Sequence, residues 1–326
     1  MISQPTPLIS VIVIGLNEEN LLSRSLQSVL ASQLQGCDLE VIYVDSGSID
    51  NSFNIAQSFH QVTALNLNNP MPSAAKARNF GLKRAKGDFI QFLDGDSILH
   101  ENWLQTAYAH ICSRDDVACV FGGLVESHPE ANIYTHVCTF DWHIPPGEYR
   151  LCGGNSFWRK SFLDAAGYFD ETLSAGEEPD LCYHVRQLGG RILCIDAPMV
   201  EHDLEMNTFQ QYWQRGITNG KAYAVIGLRY RHSKEKLWFK EMLRNFVEPL
   251  TWLIVIVSAS YFFSFGIALI ILFSLWFLRA VKIALNNKKR IHKLTDGLLY
   301  GFHLQFVRLP TFWGQLKMCT KYLKSR

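Results

Sequence analysis

Phe89-Ile90-Gln91-Phe92-Leu93-Asp94-Gly95-Asp96 is a short apolar run that ends abruptly in two carboxylates one residue apart. A run of this length fits a buried strand, and the Asp-Gly-Asp that follows marks the turn where the strand surfaces. Two carboxylates so close repel unless a cation joins them, and hard divalent ions such as Mg²⁺ or Mn²⁺ take oxygen ligands and also grip diphosphates. Asp and Gly are equally at home in ordinary acidic turns, so the triplet alone does not separate the two readings. Its surroundings must.

Upstream, short apolar runs alternate with helical patterns. Ser10 to Ile14 reads as a strand, Glu19 to Ala31 as an amphipathic helix, Val41 to Val44 as a strand and Ser52 to Phe59 as a helix; Val62 to Leu67, Ala74 to Ala85 and Phe89 to Leu93 repeat the pattern. Such alternation implies right-handed crossovers and a mainly parallel central sheet flanked by helices on both faces. Ligands of such sheets bind beyond the carboxyl ends of the strands. The polar motifs stand there: Gly15-Leu16-Asn17-Glu18 after the first strand, Asp45-Ser46-Gly47-Ser48 after the second, Asp94-Gly95-Asp96 after the fourth. Helix capping accounts for Asp50 or Ser52 but not for Asp45.

The chain has 326 residues and a formal charge of +1, so no broad basic footprint marks a nucleic-acid binder. Its eight cysteines form no Cys-x-x-Cys pair, which fits reduced, mostly buried thiols in a reducing compartment. Met1 to Pro7 is polar without a basic n-region, and Leu8 to Leu16 reads as a buried strand rather than a signal sequence. Residues 126–227 are less regular and rich in aromatic, Gly and Pro residues. Their densest polar cluster is Gly176-Glu177-Glu178-Pro179-Asp180-Leu181, where the bland reading is acidic charge at a helix start. Trp142 and Trp158 are candidates to stack on a ligand, though core packing is the commoner role for a tryptophan.

Leu250 to Leu278 carries no charge over 29 residues, longer than one membrane crossing needs. Arg229, Arg231, Lys234, Lys236, Lys240 and Arg244 precede it, and Arg279, Lys282, Lys288, Lys289 and Arg290 follow. With both flanks basic, a hairpin turning back near Ser258 to Gly266, both ends cytoplasmic, satisfies the positive-inside rule better than a single pass. Leu298 to Trp313 is apolar but holds His303 and Arg308, and reads as interfacial rather than spanning.

Ser10-Val-Ile-Val-Ile-Gly-Leu-Asn-Glu-Glu-Asn20, Val44-Asp-Ser-Gly-Ser48, Ala75-Lys-Ala-Arg-Asn-Phe-Gly81, Asp94-Gly-Asp96 and Gly176-Glu-Glu-Pro-Asp-Leu181 together resemble the inverting family 2 glycosyltransferases in order and spacing, over about residues 8–227. The resemblance implies a GT-A fold over 1–227, with a nucleotide-sugar-binding half at 8–125 and an acceptor-side half at 126–227, followed by a membrane-associated helical region at 228–326. It implies that Asn17 and Glu18 line the nucleoside pocket and that Asp45 accepts from the base or ribose. Arg78 then meets donor oxygens, where its planar fork suits phosphate. Asp94 and Asp96, with His202, hold a divalent Mg²⁺ or Mn²⁺ on the diphosphate. The base that takes the acceptor proton is Glu178, with Glu177 and Asp180 beside it; the family usually has Glu-Asp where this chain has Glu177-Glu178. Gln211 to Arg215 only loosely matches the QxxRW element of processive synthases, so a single addition is expected, with Arg215 at the donor.

The resemblance thus implies one sugar moved from a nucleotide-diphosphate-sugar donor to a glycan or polyprenyl-linked hydroxyl acceptor among membrane lipids, with the catalytic domain on the cytoplasmic side of the inner membrane. Two other readings use the same residues. A nucleotidyltransferase also couples an α/β sheet to carboxylate-held metal, but it normally has a basic glycine-rich loop after the first strand, where Gly15-Leu-Asn-Glu18 is acidic. A catalytically silent membrane scaffold would not need Asp94, Asp96, Glu178 and Asp180 together.

Overall fold

A computed structural model describes residues 6–69 and 71–324. Met1 to Pro5, part of the polar N-terminal stretch, lie outside the described residues. Two compact units divide the chain: one runs through Ser127 and resumes at Ile144–Leu204, the other joins His128–His143 to the residues from Glu205 onward. Compactness therefore divides the chain elsewhere than the composition change near 228, because Ile133–Thr139 packs with the C-terminal helices.

The first unit is built on β1 (Leu8–Gly15), α1 (Leu22–Leu30), β2 (Asp38–Asp45), α2 (Ser52–Gln57), β3 (Val62–Asn66), α3 (Ala74–Leu82) and β4 (Phe89–Asp94). Strands β3, β2, β1 and β4 are neighbours in that order and wholly parallel. Residues Ile9 to Gly15 of β1 are buried on both faces, as expected of a Val- and Ile-rich central strand with helices above and below. Leu22, Leu26 and Val29 fix the inward face of α1 at helical spacing.

Next come β5 (Ser97–Leu99), α4 (Trp103–Cys112) and β6 (Val117–Glu126); α5 (Ile133–Thr139) belongs to the second unit. After it, β7 (Gly147–Tyr149), β8 (Ser156–Arg159), α6 (Lys160–Ala166), α7 (Glu177–Gln187) and β9 (Arg191–His202) complete the first unit. Strand β8 enters antiparallel between β4 and β6, so the nine-stranded sheet is mixed overall, and the mainly parallel expectation describes its N-terminal half. The order reverses between β1 and β4: β2 lies on one side of β1, and the chain returns to the other side for β4. That is the topological switch point, where the carboxyl ends of β1 and β4 leave a crevice.

The second unit continues with α8 (Phe209–Arg229), α9 (Phe239–Phe262), α10 (Phe265–Asn286), α11 (Leu294–Phe306) and α12 (Arg308–Lys324). Helices α9 and α10 are long and apolar enough to cross a membrane by length and composition. The 29-residue run is a hairpin that turns at Phe263 and Ser264, with the Ser264 side chain accepting from the Ile267 amide to start α10. The apolar stretch at 298–313 is two helices that meet at Val307, and Pro310 sits in the first turn of α12, where its missing N–H is harmless.

Candidate active site

The loops after β1 and β2 are tied into one wall. Asn17, with φ 61°, donates its backbone N–H to Ser48 Oγ at 2.9 Å, while its Oδ1 accepts from the Ile49 amide at 2.9 Å. The Glu18 amide donates to Ser52 Oγ at 2.8 Å and the Glu19 amide to Asp50 at 3.1 Å. Asp45 is fully buried: its Oδ2 accepts from the Gly47 and Ser48 amides, and Oδ1 from the Tyr43 hydroxyl. Asp45 thus has a structural task that its position in the sequence did not disclose, closing the turn that presents Ser46 and Ser48. Burial pushes the Tyr43 phenol up, and the Asp45 carboxylate adds to that, so it stays a donor.

At the switch point a cavity of about 250 Å³ is lined by Gly15, Glu18, Ser46, Ser73, Asp94 and Asp96, among others. Ser73 and Ala74 bring in the N-terminus of α3, where Ser73 Oγ accepts from the Lys76 amide. A helix start of this kind favours negative charge.

Arg78, on the same helix, is only 3% exposed. Its Nη2 pairs with Asp94 Oδ1 at 3.1 Å, and its Nη1 with Glu178 Oε1 at 3.0 Å and Glu177 Oε1 at 3.4 Å. The guanidinium expected on donor oxygens therefore joins the acidic turn after β4 to the acidic start of α7. Gly154 makes room for it: a Cβ there would lie 2.3 Å from Nη2. Asn155, next in sequence, holds the turn after β4 by accepting from the Asp94 amide at 2.8 Å. The sequence reading missed Gly153-Gly154-Asn155, although a glycine pair directly before a strand was a usable signal.

Glu177 and Glu178 open α7 behind Gly176, whose φ of 91° suits glycine and turns the chain into the helix. Burial pushes the Glu177 carboxyl up, and neighbouring Glu178 adds to it, against the pull of Arg78. Asp180 is buried and lies 3.7 Å from His184 one turn on, so it is not presented with the other two. Asp96 Oδ2 and His202 Nε2 lie 3.3 Å apart, brought together where β5 pairs with β9. Burial alone would lower the His202 pKa; the hydrogen bond to Asp96 and the charges of Asp96, Asp94 and Glu126 raise it.

Among the described residues no group of three or more His, Cys, Asp or Glu is gathered around one point. The Asp96–His202 pair still fits a divalent ion. Adjacent ligands of an octahedral Mg²⁺ lie about 3 Å apart, and such ions take one or two protein carboxylates and complete their shell with water and phosphate. Asp94 contributes less directly, since its Oδ1 is on Arg78.

Arg215 stands apart from this cluster. It is an exposed residue of α8 in the second unit and lines a cavity of about 360 Å³ there, together with Trp142. Trp158 is a core residue, 1% exposed.

The sheet order, with a crevice at its switch point, is that of a GT-A-type α/β fold. Residues 10–156 match the family model "Glycosyl transferase family 2". It is 35% identical over 185 residues to the minor teichoic acid biosynthesis protein GgaA of Bacillus subtilis, covering 52% of this chain and 41% of that one. The chain matches less than half the length of its first curated relatives. Two solved structures share the fold. A mannosyltransferase from Pyrobaculum calidifontis in complex with GDP-Man and Mn²⁺ superposes with a TM-score of 0.62 at 17% identity, over 94% of this chain and 86% of that one. TarS 1–349 of S. aureus in complex with UDP-GlcNAc gives 0.54 at 18%, over 94% and 92%.

Proposed function

We propose that the chain transfers one sugar, with inversion, from a nucleotide-diphosphate-sugar to a hydroxyl of a lipid-linked or nascent cell-surface glycan, at the cytoplasmic face of the membrane. The observation that carries this is the Arg78 cluster, which holds Asp94 of the metal-side turn and Glu178 of the acceptor side on one guanidinium. Asn17, Glu18 and the turn closed by Asp45 form the wall against the nucleoside. The start of α3 would receive the diphosphate, and Asp96 and His202 would hold a divalent cation beside it; when bound, such a cation would supply electrophilic stabilisation to the departing diphosphate.

Glu178 accepts the proton of the acceptor hydroxyl as its oxygen attacks the anomeric carbon from the face opposite the diphosphate. The bond from that carbon to the phosphate oxygen breaks, and its electron pair leaves with the nucleoside diphosphate. Arg78 positions Glu178 through their 3.0 Å contact. Membrane attachment through α9 and α10 brings the enzyme to a lipid-carried acceptor, a reading supported by their exposed apolar faces, including Leu253, Ile254, Ile270 and Phe273. The name of the teichoic acid relative supports a cell-surface glycan as product.

The test is a donor screen on detergent-purified protein, following nucleoside diphosphate release with Mn²⁺ or Mg²⁺ and with chelator. Metal-dependent release from one nucleotide sugar, with an inverted product, is expected. No release from any nucleotide sugar in the presence of a membrane-lipid extract would refute the reading.

A further inference from the structure

The cavity of the second unit is unused by the chemistry above, and its charge is uneven. Arg215 and Asn219 line it one turn apart on α8, with Tyr223 a turn further on. Arg308 enters from the start of α12. The opposing carboxylate, Asp141, is already engaged: Tyr300 donates to its Oδ1 at 2.5 Å, and His303, itself bonded to the Tyr212 hydroxyl, lies 3.8 Å from its Oδ2. Arg215 has no ion pair or hydrogen bond among the described residues. Arg308 shares one carboxylate, Glu248 of α9, with Arg244 and Arg279; the separations are 3.5, 4.0 and 3.0 Å. Three guanidinium groups on one carboxylate leave positive charge over.

We propose that this cavity binds the phosphate of a lipid, with Arg215 as the cation that engages it and Arg308 and Asn219 as further donors. Phosphate is the chemistry a planar guanidinium fork recognises, and two forks from different helices can take separate oxygens of one group. The lipid source follows from position within the unit. Arg308 also donates to Asn245, and its partners Asn245 and Glu248 both lie on α9, the first apolar helix of the hairpin, so the polar end of the cavity adjoins the elements able to sit in a bilayer. A long-chain phosphate could place its head between α8 and α12 and its chain along the exposed side of that hairpin. This places Arg215 at the lipid phosphate, where the family resemblance implied a place at the donor. The inference rests on the reading of the chain as a glycosyltransferase with a lipid-linked acceptor, whose anchor this phosphate would be.

The experiment uses the full chain in detergent. Retention of polyprenyl phosphate is measured by native mass spectrometry for wild type, Arg215→Ala, Arg215→Lys and Asn219→Leu, with phosphatidylcholine and inorganic phosphate as separate probes. Nucleoside diphosphate release from the donor into water is followed in parallel, so that loss of lipid binding and failure of the transfer reading are told apart. Wild type should retain one polyprenyl phosphate. Arg215→Ala should weaken retention roughly 10- to 100-fold, Arg215→Lys should recover part of it, and Asn219→Leu should lower it less. Equal retention by wild type and Arg215→Ala overturns the proposal. So does equal retention of phosphatidylcholine, competition by inorganic phosphate at the same concentration as the lipid, or an Arg215→Ala defect that appears in donor affinity instead.

Discussion

Arg78 holds Glu178 at 3.0 Å across 100 residues of sequence, and the other terminal nitrogen of the same guanidinium holds Asp94 at 3.1 Å. Three carboxylates around one buried cation are stable only while the cation is there. Arg78→Gln should cost about 3 kcal/mol, in the lower part of the range for breaking a buried ion pair because the carboxylates are partly exposed. It should cut turnover as well. The loss should depend on pH in a defined direction. The Glu177 carboxyl is already raised by burial and Glu178, and without Arg78 it rises further. A carboxyl raised above its unfolded value favours the fold when protonated, so its penalty is absent below the ordinary carboxylate range and grows as pH rises through the raised value. Thermal melts should show a smaller gap between wild type and Arg78→Gln at pH 5 than at pH 8. An equal gap at both would mean that Arg78 serves packing alone.

Glu178→Gln keeps the shape of the side chain and removes the proton acceptor. Nucleoside diphosphate release coupled to a glycan acceptor should fall about 10³-fold, within the span of general-base effects. Glu178→Asp, which shortens the reach by one methylene but matches the usual family residue, should retain more activity than Glu178→Gln. Comparable losses in both, with Glu177→Gln worse than either, would move the base to Glu177.

The fold was legible because its evidence is local. Strand β4 and its Asp94-Gly95-Asp96 turn, the Val- and Ile-rich β1 and the amphipathic α1 each announce themselves within a dozen residues. The hairpin of α9 and α10 was legible from length and flanking charge. The roles within the site were less so. Arg78 looks like a phosphate ligand in its motif, and only the approach of α7 shows its guanidinium between acidic groups. Asp45 reads as a ligand contact because nothing in sequence reveals that its carboxylate faces the amides of Gly47 and Ser48. Strand β8 entering antiparallel beside β4 is a long-range pairing that periodicity does not encode.

In the proposed reading a divalent ion is offered two side chains, Asp96 from the turn before β5 and His202 from the end of β9. So small a protein share implies that the ion binds weakly alone and tightly with a diphosphate, which supplies oxygens of its own. Mn²⁺ titrations followed by electron paramagnetic resonance should therefore show affinity rising at least about tenfold when the cognate nucleoside diphosphate is added. Asp96→Asn should abolish that gain, and chelator should suppress sugar transfer by wild type. Transfer undiminished in Asp96→Asn would remove the metal from the reaction.

Helices α8 and α12 are joined through reciprocal glycines. A Cβ on Gly220 would lie 2.1 Å from the Thr311 carbonyl oxygen, and one on Gly314 would lie 2.1 Å from that of Ile217. Both obstacles are backbone, which cannot rotate aside, so one added methyl group must push the helices apart. Gly220→Ala and Gly314→Ala should each destabilise the second unit by about 1–3 kcal/mol. Since both open the same interface, the double variant should lose less than the sum. Gly266→Ala on α10 is the control: the nearest atom to its Cβ is 4.0 Å away, and alanine favours the helix, so its melting temperature should hold or rise. Thermal unfolding in one detergent decides among them, and a neutral Gly220→Ala would mean that the two helices separate freely.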